Sequence, residues 1–341
     1  MAGFLTSPHS IASGVGSLPH SDPVSAVEDI LRLCPDMPYA PTLPNINPFE
    51  SIIWHDSEFL PGRVVEGNKL YVDRSIDFAQ DMEQIYLDYM EQNIDRYATS
   101  PEYGAGYFEM ATRDLSPVWC AKCQVTGPVT FGLTITDQDR RPLAYDALYF
   151  DMLSKMLALR ARCYESLMQR TGASQTLVVV DEPYLAALGS SVMQITPEMV
   201  ASALEDIASL IEGGIGIHCC SNTDWGFLMS LNPAVISLDA YGTSREFLLY
   251  RDQIRSYLET GGIIAWGIVP AEIDKFNLET TEFLWQRYLS IRDELQPVIG
   301  YELFDAQAII TPSCGLRLAD VPGAIRIMET VAEISRRARN L

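Results

Sequence analysis

Positive charge is scarce in this chain. Its 341 residues hold 24 Lys and Arg against 45 Asp and Glu, a formal net charge of −21. Reading a nucleic-acid backbone takes clustered basic side chains, and so does holding an anionic membrane surface. Both classes of partner are therefore excluded. The acidity reads as a solubility device, with docking of a basic partner as the alternative. A run of eighteen apolar residues is also missing, so no transmembrane helix is expected. Residues 1–8 have neither a charged n-region nor a long apolar h-region, so no signal peptide is expected. Seven cysteines are an odd number, and they lack framework spacing. Reduced thiols and a cytoplasmic setting follow as expectations.

What is present is globular: 48% hydrophobic and 20% charged residues, in a length that suits one large barrel or two ordinary domains. Short apolar runs at 11–17, 39–43, 119–126, 176–180, 214–217, 234–238, 262–266 and 308–310 read as strands. Helical patterns lie between them. One opens at Pro23 behind a Ser21 or Asp22 cap and puts Ala26, Val27, Ile30 and Leu31 on one face. Others span 145–169, open at Thr196-Pro197-Glu198, end near Gly261, and span 321–337. Strand and helix alternate throughout, which predicts an α/β fold, a (β/α)8 TIM barrel forming a single domain over 1–341. The stretch 45–117 breaks the rhythm. It reads as an insertion between the second and third strands, with a helix over 79–97 among Pro- and Gly-containing loops.

Barrel active sites form where strands end and lead into their helices. Asp181, His218, Asp239 and Cys314 all fall there. His218 and Cys220 are two apart and face the same way if the chain stays extended, with Cys219 pointing away. With a carboxylate about twenty residues on, at Asp239, and the distant Cys314-Gly315, they make an N/O/S donor set for zinc. Gly315 lets the backbone turn sharply beneath Cys314. Asp239 has a second reading, as the cap of the next helix. Cys120 and Cys123 form a C-x-x-C without a second pair. On a strand, positions three apart face opposite sides, so structural thiols are favoured over a redox or second metal site. Cys34 and Cys163 read as packing residues. His9, His20 and His55 are lone histidines, of which only His20 lies near a strand end. Gly14-x-Gly16 is too short for a nucleotide-binding loop.

These residues resemble the catalytic domain of the cobalamin-independent methionine synthase family, within a superfamily that also holds uroporphyrinogen decarboxylase. That family binds zinc with a His-x-Cys pair, a Glu about twenty residues on, and an Asn-Pro-Asp-Cys-Gly-Leu segment. Here Thr311-Pro312-Ser313-Cys314-Gly315-Leu316 matches the last, and Asp239 stands for the Glu. Gly16-Ser17-Leu18-Pro19, Thr126-Gly127-Pro128-Val129-Thr130 and Asp181-Glu182-Pro183 match further family motifs, in order. The resemblance implies homocysteine thiolate on zinc as nucleophile. It also implies Ser17 on the substrate carboxylate, Asp181 on the ammonium with Glu182 orienting it or capping a turn, and Thr126 and Gly127 at the substrate. Four departures stand out. These 341 residues leave no room for the family's second barrel. Its Trp-containing folate stretch is replaced by Phe131-Gly132-Leu133-Thr134-Ile135. Its further amine-binding Glu has no clear match near Asn45, Asn47 and Glu50. Its seventh-strand His gives way to Gly267-Ile268-Val269-Pro270. The single-barrel core methionine synthases, which this chain resembles, take the methyl group from a corrinoid. Methylcobalamin or a corrinoid protein is therefore the expected donor. A methylcobalamin:coenzyme M methyltransferase is the nearest alternative, disfavoured because Asp181 would face a sulfonate. A non-enzymatic module with a closed structural zinc is the other. Uroporphyrinogen decarboxylase is disfavoured, because no arginine-rich N-terminal motif is present.

Overall fold

A computed structural model describes residues 5–190 and 193–341. Residues 1–4, which carry half of the signal-peptide reading, lie outside the described residues. The strands are β1 (Ile11–Ala12), β2 (Arg63–Glu66), β3 (Lys69–Val72), β4 (Ala121–Thr126), β5 (Thr176–Asp181), β6 (Gly214–Cys219), β7 (Val235–Leu238), β8 (Ile263–Val269) and β9 (Ala308–Pro312). Seven of them form one parallel sheet in the order β1-β9-β8-β7-β6-β5-β4, with helical crossovers between neighbours. The architecture is a curled, barrel-like α/β sheet. Among the described residues no helix is long and apolar enough to cross a membrane.

The expected second strand is present only in fragments. Tyr39 bridges Lys122 on β4, and Thr42 bridges Ser17 beyond β1, both in parallel. Ala40 N–H donates to Lys122 O and Leu18 N–H to Thr42 O. No regular ladder forms, because Pro38, Pro41 and Pro44 punctuate this segment and Pro41 has no N–H to give. The Gln124 backbone on β4 therefore finds another partner. Tyr107 Oη donates to Gln124 O at 2.7 Å and accepts from Gln124 N at 3.2 Å.

Alternation sorts the strand residues. Leu177, Val179, Val235, Ile263, Ala265 and Ile309 join Ile11 in a cluster on the inner face. Val178, Val180, Ile217, Ile236, Ile264 and Ile310 pack outward among the helices. Two residues past the inner apolar layer, the same face carries Asp181, Ser237 and Thr311, with His218 in the same row. Register fixes that row: Thr126 pairs with Asp181, Asp181 with His218, and His218 with Ser237.

The stretch 45–117 holds more regular structure than its sequence suggested. β2 and β3 form an antiparallel hairpin with Glu66 opposite Lys69, turned by Gly67 at φ 59°. The helix expected over 79–97 stops at Glu91, because Gln92 takes a left-handed conformation at φ 54°. A single turn at Asp95–Tyr97 follows, then a further helix at Ala105–Ala111.

The lower ends of β5 and β6 share one anchor. Glu165, buried on the helix Ala147–Gln169, accepts from Thr176 Oγ1 at 3.0 Å, Glu212 N at 3.0 Å and Gly213 N at 2.6 Å, and pairs with Arg162 at 3.1 Å. Removing it would leave buried donors without an acceptor. Glu165→Ala is expected to cost about 3 kcal/mol of unfolding free energy in urea titrations. A loss under about 1 kcal/mol would show that this anchor does not hold the two strands.

Candidate metal centre

His218 ends the inner row of β6, and Cys220 lies one extended step further on. Cys314 follows β9 across the mouth. One donor atom from each lies within 4.8 Å of the others. The backbone stays extended long enough for His218 and Cys220 to share the cavity, while Cys219 turns into the outer core. Ser237 Oγ lies 2.9 Å from His218 Nδ1. With Nδ1–H donated there, Nε2 keeps its lone pair, and this buried atom has no partner. The Cys314 thiol donates to Cys220, which pulls the Cys220 pKa below its ordinary value; donating, together with burial, pushes Cys314 up. Tetrahedral zinc with bonds of about 2.0–2.3 Å needs donors roughly 3–4 Å apart. The N/S/S set and the orphaned nitrogen fit zinc.

The three residues open onto a cavity of about 280 Å³, also lined by Ser17, His55, Asp56, Thr126, Asp181 and Arg317. Asp181 is 6% exposed, and its Oδ1 has no partner. Burial raises its carboxyl to about 6, against the pull of His218 and Lys122. Lys122 lies deeper. Its Nζ donates to Gly14 O at 3.0 Å, to Val15 O and to Gln124 Oε1 at 3.2 Å, which ties down the loop leading to Ser17. Burial lowers its pKa to about 8. Gly315 passes so close to Ser17 that a Cβ there would sit 2.2 Å from the Ser17 hydroxyl.

Two of the expected site residues are engaged in capping. Asp239 is not among the clustered donors. Its Oδ1 accepts from Gly242 N at 2.7 Å and caps the helix Ala240–Phe247, so the capping alternative describes it. Glu182 does not line the cavity. Its oxygens accept from Val129 N and Thr130 N, each at 2.8 Å, and from Thr130 Oγ1 at 2.6 Å, capping the helix Pro128–Thr134. Burial raises its carboxyl to about 7. Thr126 reaches the cavity, but its hydroxyl is given to Ile52 O at 2.6 Å. Gly127 is not on the cavity wall; its N–H donates to Asp181 O at 2.9 Å. Cys120 and Cys123 separate into the inner and outer clusters, as a strand requires.

Sequence reasoning missed His55, Asp56 and Lys122. Asp56 accepts from Thr126 N and Tyr164 Oη, each at 2.8 Å, which brings the segment around it to β4. A signal for Lys122 was available. Lys122 and Gln124 alternate within a fully buried strand, so both must point inward to partners. His55 gave no such signal, because nothing local fixes which way a loop-borne imidazole points.

The sequence matches no protein-family model and no curated protein. The fold is similar to that of a solved B12-independent methionine synthase from Shewanella sp. W3-18-1 in complex with selenomethionine. The TM-score is 0.55 at 15% identity, over 99% of this chain and 97% of that one. The likeness establishes a shared fold.

The raised Asp181 carboxyl has a measurable consequence. In the folded chain it keeps its proton up to about pH 6, while the unfolded chain loses it near 3.8. Stability therefore falls as pH rises through that window and stays lower above it. In chelator-treated protein, Asp181→Asn is expected to be more stable than wild type by about 1–3 kcal/mol at pH 7.5, with the gain gone by about pH 4. Equal or lower stability of the variant at pH 7.5 would contradict the assignment.

Proposed function

We propose that this chain is a zinc-dependent methyltransferase that passes a methyl group to the thiol of homocysteine, giving methionine. The observation that carries the reading is the cluster of two thiols and one unpartnered imidazole nitrogen on a cavity that also holds an unpartnered buried carboxylate oxygen. His218 Nε2, Cys220 and Cys314 would hold the metal, three protein ligands that leave a position open. Zinc there would supply the charge that strips a substrate thiol, with its ordinary pKa of about 8.5, of its proton at neutral pH. Ser237 keeps the His218 ring in one tautomer and orientation. Asp181 pairs with the substrate ammonium, and Ser17 with its carboxylate. A sulfonate in place of the amine would face the Asp181 carboxylate, which disfavours a coenzyme M-type substrate. We take 45–117 as an insertion in a single barrel, lending His55 and Asp56 to the cavity, and the setting as cytoplasmic.

The donor we propose is methylcobalamin or a methylated corrinoid protein. Two sequence departures support it: the changed stretch at 131–135 and the missing His at 267–270. The structural likeness is to a B12-independent enzyme and lends the corrinoid no support.

Reduced protein is expected to hold about one zinc per chain, and X-ray absorption should show a sulfur neighbour gained on adding homocysteine. Cys220→Ser should lose both zinc and turnover; turnover retained in that variant removes the mechanism. Folded protein that takes up no zinc removes the metal as well. In assays of zinc-loaded protein with homocysteine, methionine is expected from methylcobalamin and not from methyltetrahydrofolate. The opposite result moves the donor to folate.

A further inference from the structure

His55 is 2% exposed, lies on the wall of the same cavity, and is used by none of the chemistry above. Its ring is clamped. It stacks on Tyr164 with centroids 4.9 Å apart and an interplanar angle of 25°, and leans on Tyr107 at 4.9 Å and 44°. Nδ1 meets the carbonyl of Tyr103. A carbonyl only accepts, so Nδ1 carries the proton and Nε2 is a lone-pair acceptor. That Nε2 is buried and has no partner.

Apart from His218 Nε2 in the candidate metal cluster, Asp181 Oδ1 is a further unpartnered acceptor on this wall. His55 and Asp181 belong to one connected patch. His55 precedes Asp56, Asp56 accepts from Thr126 N at 2.8 Å, and Thr126 is paired in register with Asp181. The cation beside Asp181 cannot answer both acceptors, because the Lys122 ammonium is shared among Gly14 O, Val15 O and Gln124 Oε1; Arg317, also on the wall, is not among the charges that act on Asp181. Glu50, one of the side chains considered for an absent amine-binding carboxylate, is also spent. It accepts from Leu43 N at 3.2 Å and Ala105 N at 2.5 Å. Two rigid acceptors, one of them anionic, call for a ligand group with several N–H donors and positive charge.

We infer that His55 Nε2 is a substrate-binding atom that, together with Asp181, receives the protonated primary amine of an aminothiol, so that this chain selects aminothiols over thiols bearing only an acid group. The inference rests on the thiol-substrate reading above and adds the residue that recognises the amine. Burial lowers the His55 pKa, which keeps the ring in the neutral, accepting form.

The test is isothermal titration of the zinc-loaded full chain with L-homocysteine and with 4-mercaptobutanoate, its des-amino analogue. Wild type should bind homocysteine at least about tenfold more tightly. His55→Asn can still donate to the Tyr103 carbonyl but puts nothing where Nε2 was. It should lose about tenfold toward homocysteine and change the analogue less than about twofold. His55→Gln, whose amide reaches the Nε2 position, should recover part of the preference. A histidine 15N spectrum of wild type gives a readout that needs no variant to fold. The His55 Nε2 resonance should move with homocysteine and stay with the analogue. An undiminished preference in His55→Asn, equal weakening toward both thiols, or a resonance that ignores homocysteine overturns the assignment. If wild type binds both thiols equally, the thiol reading stands and this inference falls. If it binds neither, both fall.

Discussion

Parallel pairing holds Asp181 opposite His218 and His218 opposite Ser237. A one-residue slip in any of these strands would turn a polar side chain out of the cavity and into the helical layer. The apolar inner layer beneath resists such a slip, since Val179, Val235 and Ala265 would have to leave their cluster together. Glu165 adds a fixed stop at the lower ends of β5 and β6. The cluster of His218, Cys220 and Cys314 is thus positioned from below, by packing and one carboxylate, before any ligand contributes.

Above that layer the interior is unusually rich in ionisable groups. Lys122, Asp181, Asp56 and Glu182 are all buried. Most are satisfied by backbone: Lys122 by carbonyls of the loop at Gly14 and Val15, Glu182 and Asp56 by N–H groups at the ends of other elements. These groups tie loops to strands, at a desolvation cost that the hydrogen bonds offset. Among the buried polar atoms left without partners, Asp181 Oδ1, His218 Nε2 and His55 Nε2 belong to residues that line the same cavity.

The strand positions and the inward residues His218, Cys220 and Cys314 were legible because period-two alternation and apolar runs fix them locally. Asp239 and Glu182 were legible as strand-end carboxylates, each with capping as a second reading. Which way such a carboxylate turns depends on whether a helix begins close by, and sequence leaves both outcomes open. The hairpin at β2 and β3 was readable from Gly67-Asn68 between two alternating runs, and was lost when the stretch was taken as one helix among loops. The second strand shows the reverse. Its apolar run was read as a regular strand, while Pro41 within it forbids a continuous ladder. His55 is out of reach because its direction is set by Tyr103, Tyr107 and Tyr164, all distant in sequence.

The proline-punctuated segment has one further effect. The large sheet would otherwise end in two raw strands, β1 and β4, each offering free N–H and C=O groups to any extended chain in solution. Residues 39–42 touch both ends while offering little of their own to copy, and the Tyr107 hydroxyl takes up the exposed Gln124 backbone pair. In a chain whose strands are nearly all apolar, that leaves no template along this margin for strand addition by another molecule.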